Sequence, residues 1–267
     1  MSEGTAGEAR RPRVLLVGAG GIGAPAAIAL AASGLDALRV ADDDDVELGN
    51  LHRQILFGDA DIGHPKLDAF AAALAARAPA MRVDLARRRF VPGAALDLVQ
   101  GIEVVIDATD NFASRFLIAD ACALAGVSVV HAAAVRWRAT VLAVGPRGGP
   151  CYRCLFEDLP DGPAPDCATA GVAGPVCGVA GAIAADRALR LLAGDASATG
   201  AIVTFDGLRD ALRAVPVARR ADCPLCGDRR TFHSIDPTRY DATNRCLAEK
   251  TAGERLATRG ELSPAAR

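Results

Sequence analysis

The apolar positions form short runs that alternate with helical stretches along the first part of the chain. Short runs typical of buried strands lie at residues 13–17, 38–41, 104–106 and 128–131. Helical character occupies an alanine-rich segment that ends near residue 33, and then residues 65–77 and 112–125. This alternation predicts an α/β fold with a mostly parallel sheet and helices on both faces.

The pattern changes after residue 140. A further strand is predicted at 140–144, and proline and glycine then cluster over 145–175, which indicates a long loop. Apolar residues recur at helical spacing over 176–192, and two late strands are predicted at 201–205 and 212–217. We expect a flexible tail at 1–12 and one domain at 13–226, with halves 13–144 and 145–226. The second half continues as a smaller antiparallel region, and a polar, partly disordered tail follows at 227–267.

Composition excludes several classes of protein. Half of the 267 residues (51%) are apolar, which is enough for a large core, and the net charge of -2 argues against a broad nucleic-acid-binding face. The chain has no apolar run of about 18 residues and no secretory signal at its start. We therefore expect a soluble cytoplasmic protein without nucleic-acid or membrane partners. Eight cysteines are too sparse for a disulfide scaffold.

A glycine-rich loop follows the first predicted strand. Gly18, Gly20 and Gly23 fit the dinucleotide fingerprint, in which glycines permit a tight turn and close approach to phosphate. Asp42 follows at the end of the second strand, where a carboxylate can accept hydrogen bonds from ribose hydroxyls. The pattern alone predicts a Rossmann-like nucleotide site, and a glycine turn without a ligand is the alternative.

The residues after Asp42 suggest phosphate chemistry. Arg53 and Lys66 can stabilise the negative charge that develops when the α-phosphate of ATP is attacked, whereas a hydride-transfer site needs neither. Asp110 lies just beyond the end of a predicted strand and can serve magnesium, which prefers carboxylates together with phosphate oxygens. The alternatives are an acidic turn at 42–45 and a helix N-cap at Asp110.

Two Cys-x-x-Cys pairs form a second candidate site, made of Cys151, Cys154, Cys223 and Cys226. Two such pairs can surround zinc with four sulfurs and leave no position for water, which predicts a structural metal site. The separation between the pairs exceeds the usual zinc-ribbon spacing, and redox-active or merely buried cysteines are the alternative.

Taken together, these motifs resemble the ThiF/MoeB/HesA family, the bacterial relatives of ubiquitin-activating enzymes, from about residue 13 to residue 226. The resemblance places Asp42 on the ribose, Asn50, Arg53 and Lys66 on the phosphates, and Asp110 on Mg²⁺. The implied nucleotide site comprises Gly18, Gly20, Gly21, Gly23, Asp42, Asp44, Gly49, Asn50, Leu51, Arg53, Gln54, Lys66, Asp110 and Asn111. The resemblance to the family also supports zinc at the four cysteines. Cys167, in the proline- and glycine-rich loop, matches a cysteine linked in some members to sulfur transfer, and a spectator thiol is the alternative.

The resemblance implies ATP-dependent adenylylation of the C-terminal glycine of a small ubiquitin-like sulfur-carrier protein ending in Gly-Gly. A separate sulfur donor and a homodimer are also implied, with the apolar helix at 176–192 as a candidate dimer surface. The chain departs from the family pattern in lacking the N-terminal arginine motif and in having Ala139-Thr140 where Gly-Gln is usual. Alternatives are adenylylation of a peptide or a tRNA-bound carboxylate, an NAD-dependent oxidoreductase, or an inactive binding subunit.

Overall fold

The computed structural model describes residues 11–146, 148–159 and 170–240. The strands within these ranges are β1 (Val14–Val17), β2 (Ala37–Ala41), β3 (Arg82–Ala86), β4 (Val104–Asp107), β5 (Ser128–Val135), β6 (Arg138–Val144), β7 (Ala201–Asp206) and β8 (Ala211–Pro216). The helices are α1 (Gly23–Ala32), α2 (Lys66–Arg77), α3 (Ala95–Val99), α4 (Phe112–Ala125), α5 (Tyr152–Leu155) and α6 (Gly174–Leu192).

All eight strands belong to one sheet in the order β3-β2-β1-β4-β5-β6-β7-β8. The strands from β3 to β5 are parallel, and β5 to β8 pair antiparallel. The predicted fold class is confirmed, including an antiparallel part that continues the same sheet. The chain moves outward from β1 to β3 and then returns to β4, so the strand order reverses between β1 and β4. Ligands of open α/β sheets bind at such a reversal, beyond the carboxyl ends of the strands.

Three elements are absent from the sequence prediction, namely β3, α3 and α5. Strand β3 lies at the edge of the sheet, and its residues are only partly buried or exposed, so it lacks the apolar run of a central strand. Helices α3 and α5 have five and four residues, too few for a helical period to be read.

Each face of the sheet has its own apolar core. The side chains of β1 alternate, so that Val14 and Leu16 join the core beneath α1, α2 and α6, whereas Leu15 and Val17 join the core beneath α3 and α4. All four residues of β1 are buried because helices cover both faces there, and this explains its unbroken apolar run.

Helix α6 packs against α1 through small residues. A β-carbon at Gly181 would lie 2.6 Å from the carbonyl oxygen of Ile22, so this approach requires glycine. Val176 and Ala184 of α6 are buried in the core of the chain itself, whereas Ile183, Leu191 and Leu192 are partly buried against it. The use of this helix as a dimer surface stays a prediction.

The packed part of the chain extends beyond Cys226. Phe232 and Ile235 pack against the α4 core, and the Tyr240 hydroxyl donates a hydrogen bond of 2.7 Å to Asp120 of α4. Residues 227–240 therefore belong to the folded domain in this structure. Within the ranges described, no helix is long and apolar enough to cross a membrane.

Candidate active site

The main cleft lies beyond the carboxyl ends of β1, β2 and β4, at the reversal of strand order. It has a volume of about 300 Å³ and is bordered by the glycine loop, the acidic turn after β2 and the turn after β4. The predicted residues that the structure brings together here are Gly18, Gly20, Gly21, Asp42, Asp44, Arg53, Gln54, Lys66, Asp110 and Asn111.

Two glycines of the loop are required by close backbone contacts. Gly18 has a φ of +98°, and a β-carbon there would lie 2.8 Å from the carbonyl oxygen of Ala108 in the turn after β4. A β-carbon at Gly23 would lie 1.9 Å from the carbonyl oxygen of Gly18. Gly23 thus serves the packing of the loop on α1, behind the cleft.

Asp42 is oriented by the backbone on both of its oxygens. Its Oδ2 accepts a hydrogen bond of 2.8 Å from the backbone N–H of Ala19, and its Oδ1 accepts one of 2.9 Å from that of Asp44. Burial raises the pKa of Asp42 above its usual value, although these two hydrogen bonds oppose the shift. Each carboxylate oxygen has further lone pairs, so the side chain can still accept from sugar hydroxyls.

Lys66, the first residue of α2, is buried in the wall of the main cleft. Its Nζ lies 2.8 Å from Oδ2 of Asp44, and the side chains are 7% and 53% exposed, respectively. The ammonium group is thus held by a carboxylate that is itself half in solvent. A phosphate group entering the cleft can therefore meet a cation that is already positioned.

Arg53 is held by the 3-10 turn Leu48–Asn50 that precedes it. Its guanidinium donates hydrogen bonds to Oδ1 of Asn50 and, at 3.4 Å, to the carbonyl oxygen of Gly49. Asn50 also donates a hydrogen bond of 3.0 Å to Glu47. Gly49, Asn50 and Leu51 do not border the cleft, so in this structure the turn supports the arginine.

Among the residues that the structure describes, the charges that line the main cleft balance. Four carboxylates line it (Asp42, Asp43, Asp44 and Asp110), and so do four cations (Arg53, Lys66, Arg89 and Arg115). Such a site suits a polyphosphate that brings a divalent cation with it, because the bare polyanion would face the carboxylates uncompensated.

Arg89 and Arg115 are cleft residues that the sequence analysis does not assign. Arg89 follows the unpredicted strand β3, and its Nε lies 3.2 Å from Oδ1 of Asp43. Arg115 lies in α4, is buried, and donates a hydrogen bond to the carbonyl oxygen of Thr109. The run of three arginines at 87–89, next to an acidic turn, is the signal that could have found Arg89.

A buried polar atom in the cleft supports a ligand there. Gln54 is 4% exposed, and its Oε1 is without a hydrogen-bond partner among the residues that the structure describes. An unsatisfied buried acceptor is costly, and ligand groups that donate hydrogen bonds can satisfy it. Together with the glycine loop and the oriented Asp42, this atom fits a bound nucleotide.

The turn after β4 presents Asp110 to the cleft. Asp110 is exposed, while Asn111 caps α4 by accepting a hydrogen bond of 2.9 Å from the backbone N–H of Ser114. The N-cap of α4 is therefore Asn111, which leaves the Asp110 carboxylate available for a metal–phosphate complex.

A second cavity of about 170 Å³ lies beside the main cleft, and both are bordered by Asp110, Arg115 and Ala134. Its other walls are mostly apolar, and His131 of β5 lies in one of them. His131 Nδ1 lies 2.7 Å from Oδ2 of Asp107, and both side chains are buried. No sequence motif assigns a role to this pair.

The four cysteines of the two pairs meet. The Sγ–Sγ distances are 3.9 Å for Cys151–Cys154, 3.6 Å for Cys151–Cys223 and 3.4 Å for Cys154–Cys226. All four sulfurs lie within 4.8 Å of one another. Tetrahedral zinc with bonds of about 2.3 Å places its sulfurs about 3.8 Å apart, and a disulfide bond is far shorter. The cluster therefore fits zinc and offers no open ligand position.

Arg153, inside the first cysteine pair, attaches the cluster to α4. Its Nε and Nη2 each donate a hydrogen bond of 2.8 Å to the carboxylate of Asp120, and both side chains are 2% exposed. The guanidinium also lies over the rings of Phe116 and Phe232, at 4.7 and 4.5 Å from their centres.

Cys167, the candidate thiol for sulfur transfer, lies outside the described residues.

Comparisons with known proteins find a matching family and several similar proteins. The family model described as the ThiF family matches residues 2–225. The chain is 41% identical over 218 residues to the SAMP-activating enzyme E1 of Haloferax volcanii, covering 81% of this chain and 80% of that protein. It is 39% identical over 218 residues to the sulfur carrier protein ThiS adenylyltransferase of Escherichia coli, covering 80% of this chain and 86% of that protein.

Other relatives are longer, and solved structures share the fold. The chain is 40% identical over 240 residues to the adenylyltransferase and sulfurtransferase MOCS3 of Sus scrofa, but it spans only 53% of that protein. A crystal structure of E. coli MccB with MccA-N7isoASN superposes with a TM-score of 0.71 at 21% identity, covering 81% of this chain and 67% of that one. At this identity the likeness shows the fold alone.

Proposed function

The chain belongs to the ThiF family, and from that premise we propose that it is an adenylyltransferase for a small ubiquitin-like sulfur carrier. The substrate carboxylate is that of the carrier's C-terminal glycine, at the end of a Gly-Gly tail of the ThiS or MoaD type. Relatives that bear such names, including the ThiS adenylyltransferase and the SAMP-activating enzyme, support this substrate class.

One observation carries the proposal. Arg53, Lys66 and Asp110 border the same cleft as the glycine loop and Asp42. Two positioned cations and an exposed carboxylate beside a glycine loop suit attack on a phosphate, whereas hydride transfer requires none of them. This observation disfavours the oxidoreductase and inactive-subunit alternatives.

The reaction requires positioning and charge stabilisation more than proton transfer. An oxygen of the carrier carboxylate attacks the α-phosphorus of ATP, the bond from that phosphorus to the bridging β-phosphate oxygen breaks, and pyrophosphate leaves. The carboxylate is ionised at neutral pH, so no general base is needed. Asp42 orients the ribose, Arg53 and Lys66 stabilise the phosphoryl oxygens and the leaving pyrophosphate, and Asn50 keeps Arg53 in place.

Two metals fit the residues present. Asp110 would hold Mg²⁺ together with the triphosphate, which neutralises part of its charge. Cys151, Cys154, Cys223 and Cys226 would hold a structural zinc ion. The zinc would fix the segment after β6 to the segment after β8, away from the main cleft.

The remaining assignments concern partners. We propose a separate sulfur donor, a cytoplasmic location and a homodimer. Leu48 and Ile55, which are 69% and 58% exposed close to the main cleft, supply apolar surface that a second copy could cover. Light scattering at micromolar concentration should give the mass of a dimer, and a monomer would remove this part of the proposal.

ATP–pyrophosphate exchange tests the function. We expect exchange only when a carrier with a free C-terminal Gly-Gly is present, and none when that terminus is amidated. Exchange with a peptide or a tRNA-bound carboxylate, but with no carrier, would assign the enzyme to the alternative substrate class. Absence of exchange with every carboxylate would refute the proposal.

A further inference from the structure

A broad groove lies on the outer part of the sheet at β2 and β3, on the face that carries α3 and α4. It has a volume of about 680 Å³, and none of the described residues that border it also borders the main cleft. Its charged residues are four arginines and two aspartates, namely Arg11, Arg39, Arg82, Arg88, Asp84 and Asp97. The proposed function uses none of them.

The groove is open because the two faces of β3 are covered unequally. On one face, Val83 and Leu85 pack against the core beneath α2, a helix of twelve residues. On the other face, α3 has only five residues. There β3 presents Arg82 and Asp84, which alternate with the apolar positions. This part of the sheet therefore carries a polar face where a longer helix would require an apolar one.

The groove has more positive than negative charge. Arg39 and Asp84 are paired across β2 and β3, and their side chains form a salt bridge of 2.8 Å in which both are partly buried. Arg11, Arg82 and Arg88 are exposed, and no carboxylate of residues 11–146, 148–159 or 170–240 lies within ion-pair distance of them. Three guanidinium groups thus remain available in a chain whose net charge is -2.

Carboxylate side chains of a protein fit this groove better than a nucleic acid does. A guanidinium group can bind a carboxylate through two parallel hydrogen bonds. The closely spaced phosphates of a nucleic acid would face Asp84 and Asp97 as well, and the net charge of the chain provides no long-range attraction for a polyanion. Leu85 and Leu98 also border the groove, so the apolar stems of acidic side chains can find contacts there.

We propose that this groove binds an acidic segment of a partner protein, whose carboxylates pair with Arg11, Arg82 and Arg88. The Arg39–Asp84 pair stays intact beneath that segment. The groove extends to the rim of the main cleft, because Arg88 borders the groove and Arg89 borders the cleft. A partner held there therefore lies beside the nucleotide site without filling it. This inference goes beyond the proposed function and does not depend on it.

A peptide of six glutamates with a fluorescent label tests this inference, with binding to the full chain measured by fluorescence anisotropy. We expect saturable binding that weakens as the salt concentration rises, because exposed charges are screened. The double variant Arg82→Met and Arg88→Met should bind the peptide about tenfold more weakly, since one exposed ion pair contributes up to about fivefold.

Arg87→Met is the matched control for the loss of charge. Arg87 is the neighbour of Arg88 in sequence, but it pairs with Asp68 of α2 and does not border the groove. Its replacement changes the net charge as much as Arg88→Met does and should change peptide affinity less than twofold. All of these arginines are exposed, so the melting temperatures should stay unchanged. If the double variant does not fold, Arg88→Met alone is compared with Arg87→Met.

Three results would overturn the inference. Absence of saturable peptide binding at low salt would remove the groove as a binding surface. An equal loss of affinity in Arg87→Met and Arg88→Met would show attraction by net charge without a site. Tighter binding of a six-nucleotide oligothymidylate, with the same dependence on Arg82 and Arg88, would assign the groove to nucleic acid. None of these measurements uses pyrophosphate exchange, so their outcome is independent of the outcome for the proposed function.

Discussion

Replacement of Lys66 by methionine isolates the charge of the side chain that the mechanism places on the phosphates. The ammonium group is buried in the cleft wall and paired with Asp44 at 2.8 Å. Methionine keeps the apolar stem that packs there and removes the charge. Because Asp44 is 53% exposed, its carboxylate stays solvated in the variant, so no unpaired charge is left buried. The free energy of unfolding should therefore change by less than about 1 kcal/mol.

The effect on catalysis should be much larger. Two unit charges about 4 Å apart interact by about 4 kcal/mol at an effective dielectric constant of about 20. Loss of one group that stabilises transition-state charge typically costs about 10²- to 10³-fold in rate, which corresponds to about 3–4 kcal/mol. We expect kcat for carrier-dependent pyrophosphate exchange to fall by about that factor.

Two further variants separate the role of Lys66 from general effects. Arg87→Met removes a cation whose ion pair with Asp68 is half exposed and lies outside the cleft, and it should leave exchange unchanged. Asp44→Asn removes the partner of Lys66 and keeps the ammonium group, so kcat should fall less than tenfold. Should Lys66→Met raise only the KM for ATP and keep its kcat, the lysine serves ground-state binding and the reasoning is refuted.

The other predictions concern the two proposed metal sites, the carboxylate of Asp42 and the thiol of Cys167. Asp110→Ala should abolish exchange with an unchanged melting temperature, and near-normal exchange would remove it from the mechanism. About one zinc per chain should be found by metal analysis and be lost in the double variant Cys151→Ser and Cys223→Ser, while thiols that titrate freely in the native protein would refute the site. Because the pKa of Asp42 is raised, ATP affinity should fall with decreasing pH before an ordinary aspartate, with a pKa of about 3.9, protonates; an unchanged KM for ATP down to pH 4 would contradict this. Cys167→Ser should keep exchange near the wild-type rate, because phosphoryl transfer needs no thiol, and a collapse would place it in the nucleotide site or the fold.

The parts of the fold and site that the sequence predicts are those with short-range patterns. Central strands such as β1 show unbroken apolar runs because both of their faces are buried, and the glycine loop has a fixed spacing because Gly18 and Gly23 meet backbone atoms. The Cys-x-x-Cys pairs are equally local, and their separation in sequence is irrelevant once β6 and β8 bring the flanking segments together.

What the sequence does not predict depends on contacts between distant strands. Asp107 looks like the polar end of a strand, and His131 like a residue within the next strand. Only the parallel register of β4 and β5 pairs them directly. Arg89 is missed for a similar reason, since it follows an edge strand that lacks an apolar run. Turn and metal motifs can therefore be recognised in the sequence, whereas pairs across strands require the register.

Arg153 shows why the cysteine cluster matters for a cleft that it does not touch. A buried arginine that lost Asp120 would leave an unpaired charge, which typically costs about 3–5 kcal/mol. The pair is therefore stable only while the first cysteine segment stays folded against α4, the helix that Asn111 caps and that contains Arg115. The Tyr240 hydroxyl, from the C-terminal segment, donates a hydrogen bond to the same Asp120 carboxylate. The cluster, α4 and the turn that carries Asp110 thus form one continuous set of contacts, so a metal that fixes the cysteines also restrains the wall between the main cleft and the second cavity.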